Sequence, residues 1–206
     1  MFLLAFVAIG VAIGCLRGGS LRDLASLRIR HAWLIILGLL LQVVAFTNVL
    51  PAGPAMQSLA PVLHVSSYGA LLSALALNAD QRPLRVVMAG ALANYVAIVI
   101  NGGYMPASFQ ALQMAGMDGV LSRLAASGHL RNSVLIGAHT HLTFLGDIFA
   151  LPAELPLANI FSVGDIVIGH GVLMLVVQAM TTQARRGRAA TANTLVVEGR
   201  PRQPIL

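Results

Sequence analysis

The sequence predicts an all-α, polytopic membrane protein, and its composition leads to that class. Hydrophobic residues make up 57% of the 206-residue chain and charged residues 10%, and the mean hydropathy is +0.82. Soluble domains carry about 25% charged residues. Because a membrane-spanning helix needs about 20 apolar residues, a chain of this length has room for about five or six such helices and one long loop in a single domain.

Five apolar runs are the predicted spans of one membrane domain at residues 1–182. The first run begins without the basic residues of a cleaved signal peptide, so we interpret it as an uncleaved span. A lipoprotein-type cleavage box ending at Cys15 is the alternative. The third run is the most polar, since it contains His64 and Tyr68. The runs cover residues 1–16, 32–50, 61–77, 84–100 and 163–180.

Glycine spacing predicts where these helices pack closely. Gly10, Gly14 and Gly18 recur every four residues around the first span, and Gly164 and Gly171 share one face of the last. Small residues at such spacings let two helix backbones approach each other. We therefore expect both spans to pack tightly against neighbouring helices.

The arginines set the predicted orientation. Eleven of the thirteen basic residues lie in the connections 17–30 and 80–85 and in the tail 183–206, leaving Arg123 and Arg131 elsewhere. Because arginine-rich connections stay in the cytoplasm, the chain is predicted to be N-out and C-in, with a flexible cytoplasmic tail. No aromatic residues are interspersed with these arginines, so a nucleic-acid partner is not predicted.

This orientation places residues 101–162 on the outer face. A connection of that length and apolar content is too long for a simple loop. We expect amphipathic helices lying in the membrane interface, with Asp118 as an N-cap and Gly128 as a stop. The predicted apolar side consists of Phe109, Leu112, Leu121 and Leu124.

Asp147 and Asp165 are the candidate catalytic residues in a chain with only seven acidic residues. Ser162-Val-Gly-Asp165 fits a capping box, which would give Asp165 a structural role at the start of the last span. Asp147, after Gly146, could equally cap a loop. In the functional interpretation the two carboxylates form an acid–base pair whose pKa values are pushed apart by burial and proximity.

Irregular backbone after the fourth span predicts a second feature of the outer face. Asn101-Gly-Gly-Tyr-Met-Pro106 is either a helix C-cap at Gly102 or one wall of a polar pocket. The predicted pocket residues are Asn101, Gly102, Gly103, Tyr104, Asn159, Ser162 and His141.

No metal or cofactor is predicted. His139-Thr-His141 could present two metal ligands if the segment is extended, with Asp147 or Asp165 completing the site. We favour interfacial histidines without a metal, because the H-x-H pattern is weak. The single Cys15 excludes an intramolecular disulfide framework.

Three sequence blocks resemble an uncharacterised family of bacterial membrane proteins, domain of unknown function 5317. They are NGGYMP at 101–106, LTFLGDIFALP at 142–152 and NIFSVGDIVIGHG at 159–171. The resemblance implies a multi-pass protein of the bacterial cytoplasmic (inner) membrane. It implies no particular reaction.

A shorter segment is similar to lipoprotein signal peptidase, an intramembrane aspartyl protease. Phe161-Ser-Val-Gly-Asp165 resembles the F-N-x-A-D motif of that family, with Ser162 in place of asparagine and Gly164 in place of alanine. Asp147 then takes the place of the first catalytic aspartate. This similarity implies that the two aspartates activate water against a membrane-embedded bond.

Three functions therefore stay open. The first is a non-enzymatic binding or assembly protein with an outer-face polar pocket, in contact with the bilayer and with a membrane-protein partner or a second copy. The second is an aspartyl hydrolase that uses Asp147 and Asp165. The third is a small-molecule transporter, for which Asn94 and Ser73 are the candidate polar residues within the spans.

Overall fold

The structure, a computed structural model, describes residues 2–47, 54–130 and 132–198 and is mostly helical. The helices are α1 Phe2–Leu16, α2 Trp33–Phe46, α3 Pro54–Leu77, α4 Arg82–Ile100, α5 Phe109–Met114, α6 Asp118–Ser127 and α7 Val163–Glu198. Short 3-10 helices lie at Leu21–Ser26 and Thr143–Leu145.

Three helices are long and apolar enough to cross a membrane: Ser58–Leu77, Arg82–Ile100 and Val163–Thr182. The apolar helices α1 and α2 fall below that length. Helix α3 begins at Pro54, earlier than predicted, because proline fits the first turn of a helix. Helix α7 continues beyond its apolar part to Glu198. The predicted end of the second span, at residue 50, lies outside the described residues.

Helix α7 is the centre of the bundle and packs against both α1 and α4. A Cβ on Gly10 or Gly14 would lie within about 3 Å of Val176 or Met180 of α7. The predicted close approach of α1 is therefore confirmed at these two glycines. Gly18 lies beyond the end of α1, at φ 76°.

The glycines of α7 allow equally close packing on its other side. A Cβ on Gly164 would overlap Oδ1 of Asn94, and one on Gly171 would lie 2.7 Å from Val87. Both neighbours belong to α4, so the predicted packing face of the last span is confirmed. Helices α2 and α3 extend the bundle beyond α4, through contacts of α2 with α3 and of α3 with α4.

One end of the bundle carries most of the described arginines, and we call it the cationic end (residues 17–31 and 78–85). Asn78 holds the first connection there: its amide donates to the carbonyl of Arg30 at 2.8 Å and its Oδ1 accepts from the Arg30 amide at 2.7 Å. Gln81 donates to the carbonyl of Arg28. The side chain of Arg30 pairs with Asp80 at 3.5 Å.

Residues 101–130 and 132–162, which we call the outer segment after the side of the membrane predicted for them, lie at the opposite end of the bundle. Phe2, at the start of α1, stacks on Phe161 with ring centroids 4.1 Å apart. His64 of α3 bonds to the carbonyl of Gly103. Helix α1 therefore extends from the outer segment to the cationic end, where a Cβ on Gly19 would meet the backbone of Met180.

The outer segment contains strands, so the all-α prediction is wrong for this part of the chain. Strand β3 pairs with both β1, in parallel, and β2, antiparallel, and β4 pairs antiparallel with β5. Two or three residues are too few to show an alternating pattern in sequence. The strands are β1 Met105–Ala107, β2 His129–Leu130, β3 Ser133–Leu135, β4 Phe149–Leu151 and β5 Asn159–Phe161.

Helices α5 and α6 bury their leucines on this small sheet. Leu112 and Leu124 are fully buried with Ala107, and Leu121 packs against them. Phe109 does not join that side, since 47% of it is exposed. Gly128 ends α6 at φ 77°, as predicted, whereas Asp118 is the first helical residue and not the N-cap. The location of α5 and α6 in the membrane interface stays a prediction.

Candidate functional site

A cavity of about 450 Å³ lies where the outer segment meets the bundle. Helices α3, α4 and α7 contribute one part of its lining, and the outer segment contributes the rest. Ligand pockets commonly have volumes of about 300–1,000 Å³. The polar side chains in the lining are His64, Tyr68, Asn94, Arg123, Asn132, Ser133, Asp147, Asn159 and Asp165.

Asp165 forms the predicted capping box. Its backbone amide donates to Oγ of Ser162 at 3.0 Å, and its Oδ2 accepts from the Ser162 amide at 3.0 Å. These reciprocal bonds satisfy donors at the first turn of α7. The structural role proposed for Asp165 is thus present, but the residue also lines the cavity.

A second contact joins Asp165 to the bundle. Asn94 of α4 donates from Nδ2 to Oδ1 of Asp165 at 2.9 Å, and Ser162 donates from Oγ to Oδ1 of Asn94 at 2.8 Å. Ser162 and Asn94 are buried. Each carboxylate oxygen of Asp165 therefore accepts one hydrogen bond, Oδ1 from Asn94 and Oδ2 from the Ser162 amide. The network fixes this carboxylate in one orientation at the floor of the cavity.

Asp147 is held by its backbone alone. Its amide donates to the carbonyl of Pro106 at 2.7 Å, and its carbonyl accepts from the amide of Ser108 at 3.0 Å. These bonds extend the pairing of β1 through a parallel bridge to Ala107. Within the described residues its carboxyl group has no hydrogen-bond partner, so the loop-cap interpretation is not supported.

The environment of Asp147 changes its acidity. Removal from water and, as the smaller cause, the negative charge of Asp165 together raise the pKa of its carboxyl group to about 7. Both effects disfavour the charged form of a carboxylic acid. Near neutral pH the cavity therefore contains one carboxyl group that readily holds a proton.

Two side chains of α3 complete the bundle wall of the site. His64 donates from Nδ1 to the carbonyl of Gly103 at 2.7 Å, because a carbonyl can only accept. Its ring contacts Tyr68 at 5.5 Å. The sequence prediction did not assign either residue to the site. Their i, i+4 spacing within an otherwise apolar span was the available signal.

Most of the predicted pocket residues fall outside the cavity lining. Of the seven, Asn159 lines it and Ser162 supports it through Asn94. Asn101 bonds instead to the backbone of His141 in both directions, at 2.8 and 2.9 Å. The ring of Tyr104 packs on His129.

The two glycines of this block have backbone roles. Gly102 and Gly103 adopt φ of 68° and 94°, which favours glycine. A Cβ on Gly103 would also lie 2.5 Å from Pro61. The block is therefore a helix end and a close contact with α3, with the Gly103 carbonyl positioned for His64.

The metal interpretation of His139 and His141 gains no support. The segment is a turn, in which Thr140 bonds to Gly137, and not the extended strand that would align the two rings. Both histidines are exposed. Within the described residues, no group of three or more potential ligands could hold a metal ion.

Comparison with known proteins gives one match. The profile of a family of unknown function, DUF5317, matches residues 26–177. No curated protein and no solved structure matches the chain. The local similarity to lipoprotein signal peptidase is therefore not supported by these comparisons.

Proposed function

Since the chain belongs to DUF5317, a family of unknown function, we propose its activity from the site: an integral membrane protein whose cavity binds a small ligand with a cationic amino group. Within the described lining, Asp147 and Asp165 outnumber the single cation, Arg123. A partly buried carboxyl group without a hydrogen-bond partner is satisfied by a cationic ligand.

Asp147 is the observation that carries this proposal. Asp165 already has two donors, Ser162 and Asn94, whereas Asp147 has none within the described residues. An ammonium group would supply a charge-assisted hydrogen bond. Tyr68 and His64 provide rings on which the apolar part of an amine can pack.

The proposed membrane arrangement has five spans with the amino terminus outside, in a bacterial inner membrane. The positions of the arginines support it, because the cationic end and the cavity lie at opposite ends of the bundle. Helix α1 is shorter than the length expected of a membrane span, yet it contacts Phe161 at one end and Met180 near the other.

Thermal unfolding of the purified full-length protein in detergent tests the binding proposal. Ethanolamine should raise the unfolding temperature, and its uncharged analogue ethylene glycol should not. The shift should be larger at pH 8 than at pH 6, because an ammonium ion binds the deprotonated form of Asp147. Asp147→Asn should abolish the shift in unfolding temperature caused by ethanolamine. Asp118→Asn, which replaces an exposed acid of the outer segment, should retain that shift. Equal shifts with the glycol, or a full shift in Asp147→Asn, would contradict the proposal.

A second candidate function is an aspartyl hydrolase. The observation in its favour is that one cavity holds Asp165, which accepts two hydrogen bonds, and Asp147, whose pKa is raised to about 7. Two carboxyl groups held in such different environments can serve as base and acid.

Cells that produce the wild-type protein, Asp147→Asn or Asp165→Asn distinguish the two candidates. If the protein is a hydrolase, mass spectrometry of the membranes should detect a cleavage product only in cells with the wild type. Cells with either variant should contain the uncleaved precursor instead. Ligand binding predicts identical membrane lipids and peptides in all three strains.

A further inference from the structure

A groove between α1 and α7 has an apolar lining along one part of its length and a polar lining along the rest. Its apolar lining consists of Ile13, Leu173, Met174 and Val177. Its volume is about 430 Å³. Toward the cationic end the lining becomes polar, with Arg17, Gln178 and Thr182. An apolar groove that ends in a cation and amide is matched to an amphiphile with an anionic headgroup.

The charge around the polar end is strongly positive. Arg17 is exposed and follows α1 directly, and among the described residues of this end Arg30 forms an ion pair with Asp80. Gln178 and Thr182 also line a neighbouring cavity that contains Arg28 and Arg30. Six arginines but only two acids, Asp23 and Asp80, occur in the sequence of this end. Basic pockets beside membrane helices bind anionic lipid headgroups.

We propose that this groove is a specific site for one anionic phospholipid, with an acyl chain along Ile13 and Leu173 and the phosphate beside Arg17. The order of residues fits the depth of a bilayer. From Leu173 to Thr182 the helix rises about 14 Å at 1.5 Å per residue, which is close to one half of the roughly 30 Å hydrocarbon core. The polar end therefore lies at headgroup level when the apolar end lies within the acyl chains.

The charge pattern selects the headgroup. A zwitterionic phospholipid also has a phosphate, but its choline would lie among Arg17, Arg28 and Arg30. Phosphatidylglycerol is anionic and has no such cation, and each nearby arginine adds about 1 kcal/mol of attraction. The site is separate from the carboxylate cavity, which lies at the other end of the bundle.

Native mass spectrometry of the full-length protein released from nanodiscs provides the test. The discs contain equal amounts of phosphatidylglycerol and phosphatidylcholine with the same acyl chains. The wild type should retain one phosphatidylglycerol in preference to phosphatidylcholine. Arg17→Gln should lower that preference about fivefold, the factor that corresponds to about 1 kcal/mol.

Matched variants separate the groove from a general surface charge. Arg85→Gln removes an exposed arginine of the same end that lines neither cavity, and it should leave the preference unchanged. Met174→Trp should fill the groove and reduce retention, whereas Leu92→Trp, on an exposed part of α4, should not. Circular dichroism confirms that each variant is folded. Equal retention of both lipids by the wild type, or equal losses in Arg17→Gln and Arg85→Gln, would overturn the proposal.

Discussion

The two ends of the bundle differ in how far their charged side chains are exposed to solvent. At the cationic end the described ion pair, Arg30 with Asp80, is largely in solvent, with side chains 67% and 57% exposed. At the outer end Asp147 and Asp165 are partly buried in one cavity. Solvent screens the first pair, while limited access to water makes the protonation of Asp147 sensitive to its neighbours.

Buried asparagines show the same contrast. Asn78, at the cationic end, bonds only to backbone groups of Arg30 and Ala74 and so holds the chain in place. Asn94, at the outer end, bonds to the side chains of Ser162 and Asp165. At the cationic end the buried amide of Asn78 fixes the first connection, and at the outer end the buried amide of Asn94 orients the carboxylate of Asp165.

The largest expected effect is that of Asp147→Asn. Between the ordinary pKa of 3.8 and the folded value of about 7, the folded protein keeps a proton that the unfolded chain releases. Stability therefore falls as pH rises through this window and is level above it. Asparagine carries no charge, so the variant should be more stable than wild type at pH 8, by at most about 4 kcal/mol.

Thermal unfolding at pH 5 and pH 8 measures this difference. The gain should be smaller at pH 5, where wild-type Asp147 is mostly protonated in the folded state. Asp118→Asn, at an exposed position, should change little at either pH. A loss of stability in Asp147→Asn at pH 8 would show that the carboxylate is charged and well paired.

Replacing the two asparagines should have an intermediate effect. Asn94→Ala leaves the Ser162 hydroxyl hydrogen without an acceptor and Oδ1 of Asp165 without a donor, and Asn78→Ala leaves backbone groups of Arg30 unpaired. Each should cost about 1–3 kcal/mol, as measured by chemical denaturation. Only Asn94→Ala should also weaken ethanolamine binding. Equal binding losses in both variants would remove the distinction between the ends.

The smallest expected effect is that of Arg30→Gln. An exposed ion pair contributes about 0.2–1 kcal/mol and is screened by salt. The variant should therefore unfold within about 1 kcal/mol of wild type, with a difference that vanishes in concentrated salt. A larger loss of stability that persists in concentrated salt would indicate that the charges of the cationic end are also shielded from solvent.

Local sequence patterns predicted the features that depend on neighbouring residues. The capping box at Ser162 and Asp165, the glycine contacts of α1 and α7, and the end of α6 at Gly128 are set within a few positions of the chain. The main helical segments follow from apolar runs in the same way.

The remaining features of the fold and of the site depend on contacts between residues that are far apart in the sequence. Asn94 and Asp165 are 71 positions apart, His64 and Gly103 are 39 apart, and Asp147 pairs with residues about 40 positions before it. Periodicity describes only one segment at a time, so it cannot bring such groups together. This is why the sequence predicts a pocket at Asn101 and Tyr104, whereas His64 and Asn94 line the cavity in the structure.

Infrared titration of the carboxyl stretch tests the enclosed carboxylate pair most directly. The wild type should show a protonated-carboxyl band that disappears with a pKa of about 7. The band should be missing in Asp147→Asn, and its midpoint should move to lower pH in Asp165→Asn, because one of the two causes of the raised pKa is then removed. If no band titrates between pH 5 and pH 9 in the wild type, or if Asp165→Asn leaves the midpoint unchanged, the two carboxyl groups do not form the site described above.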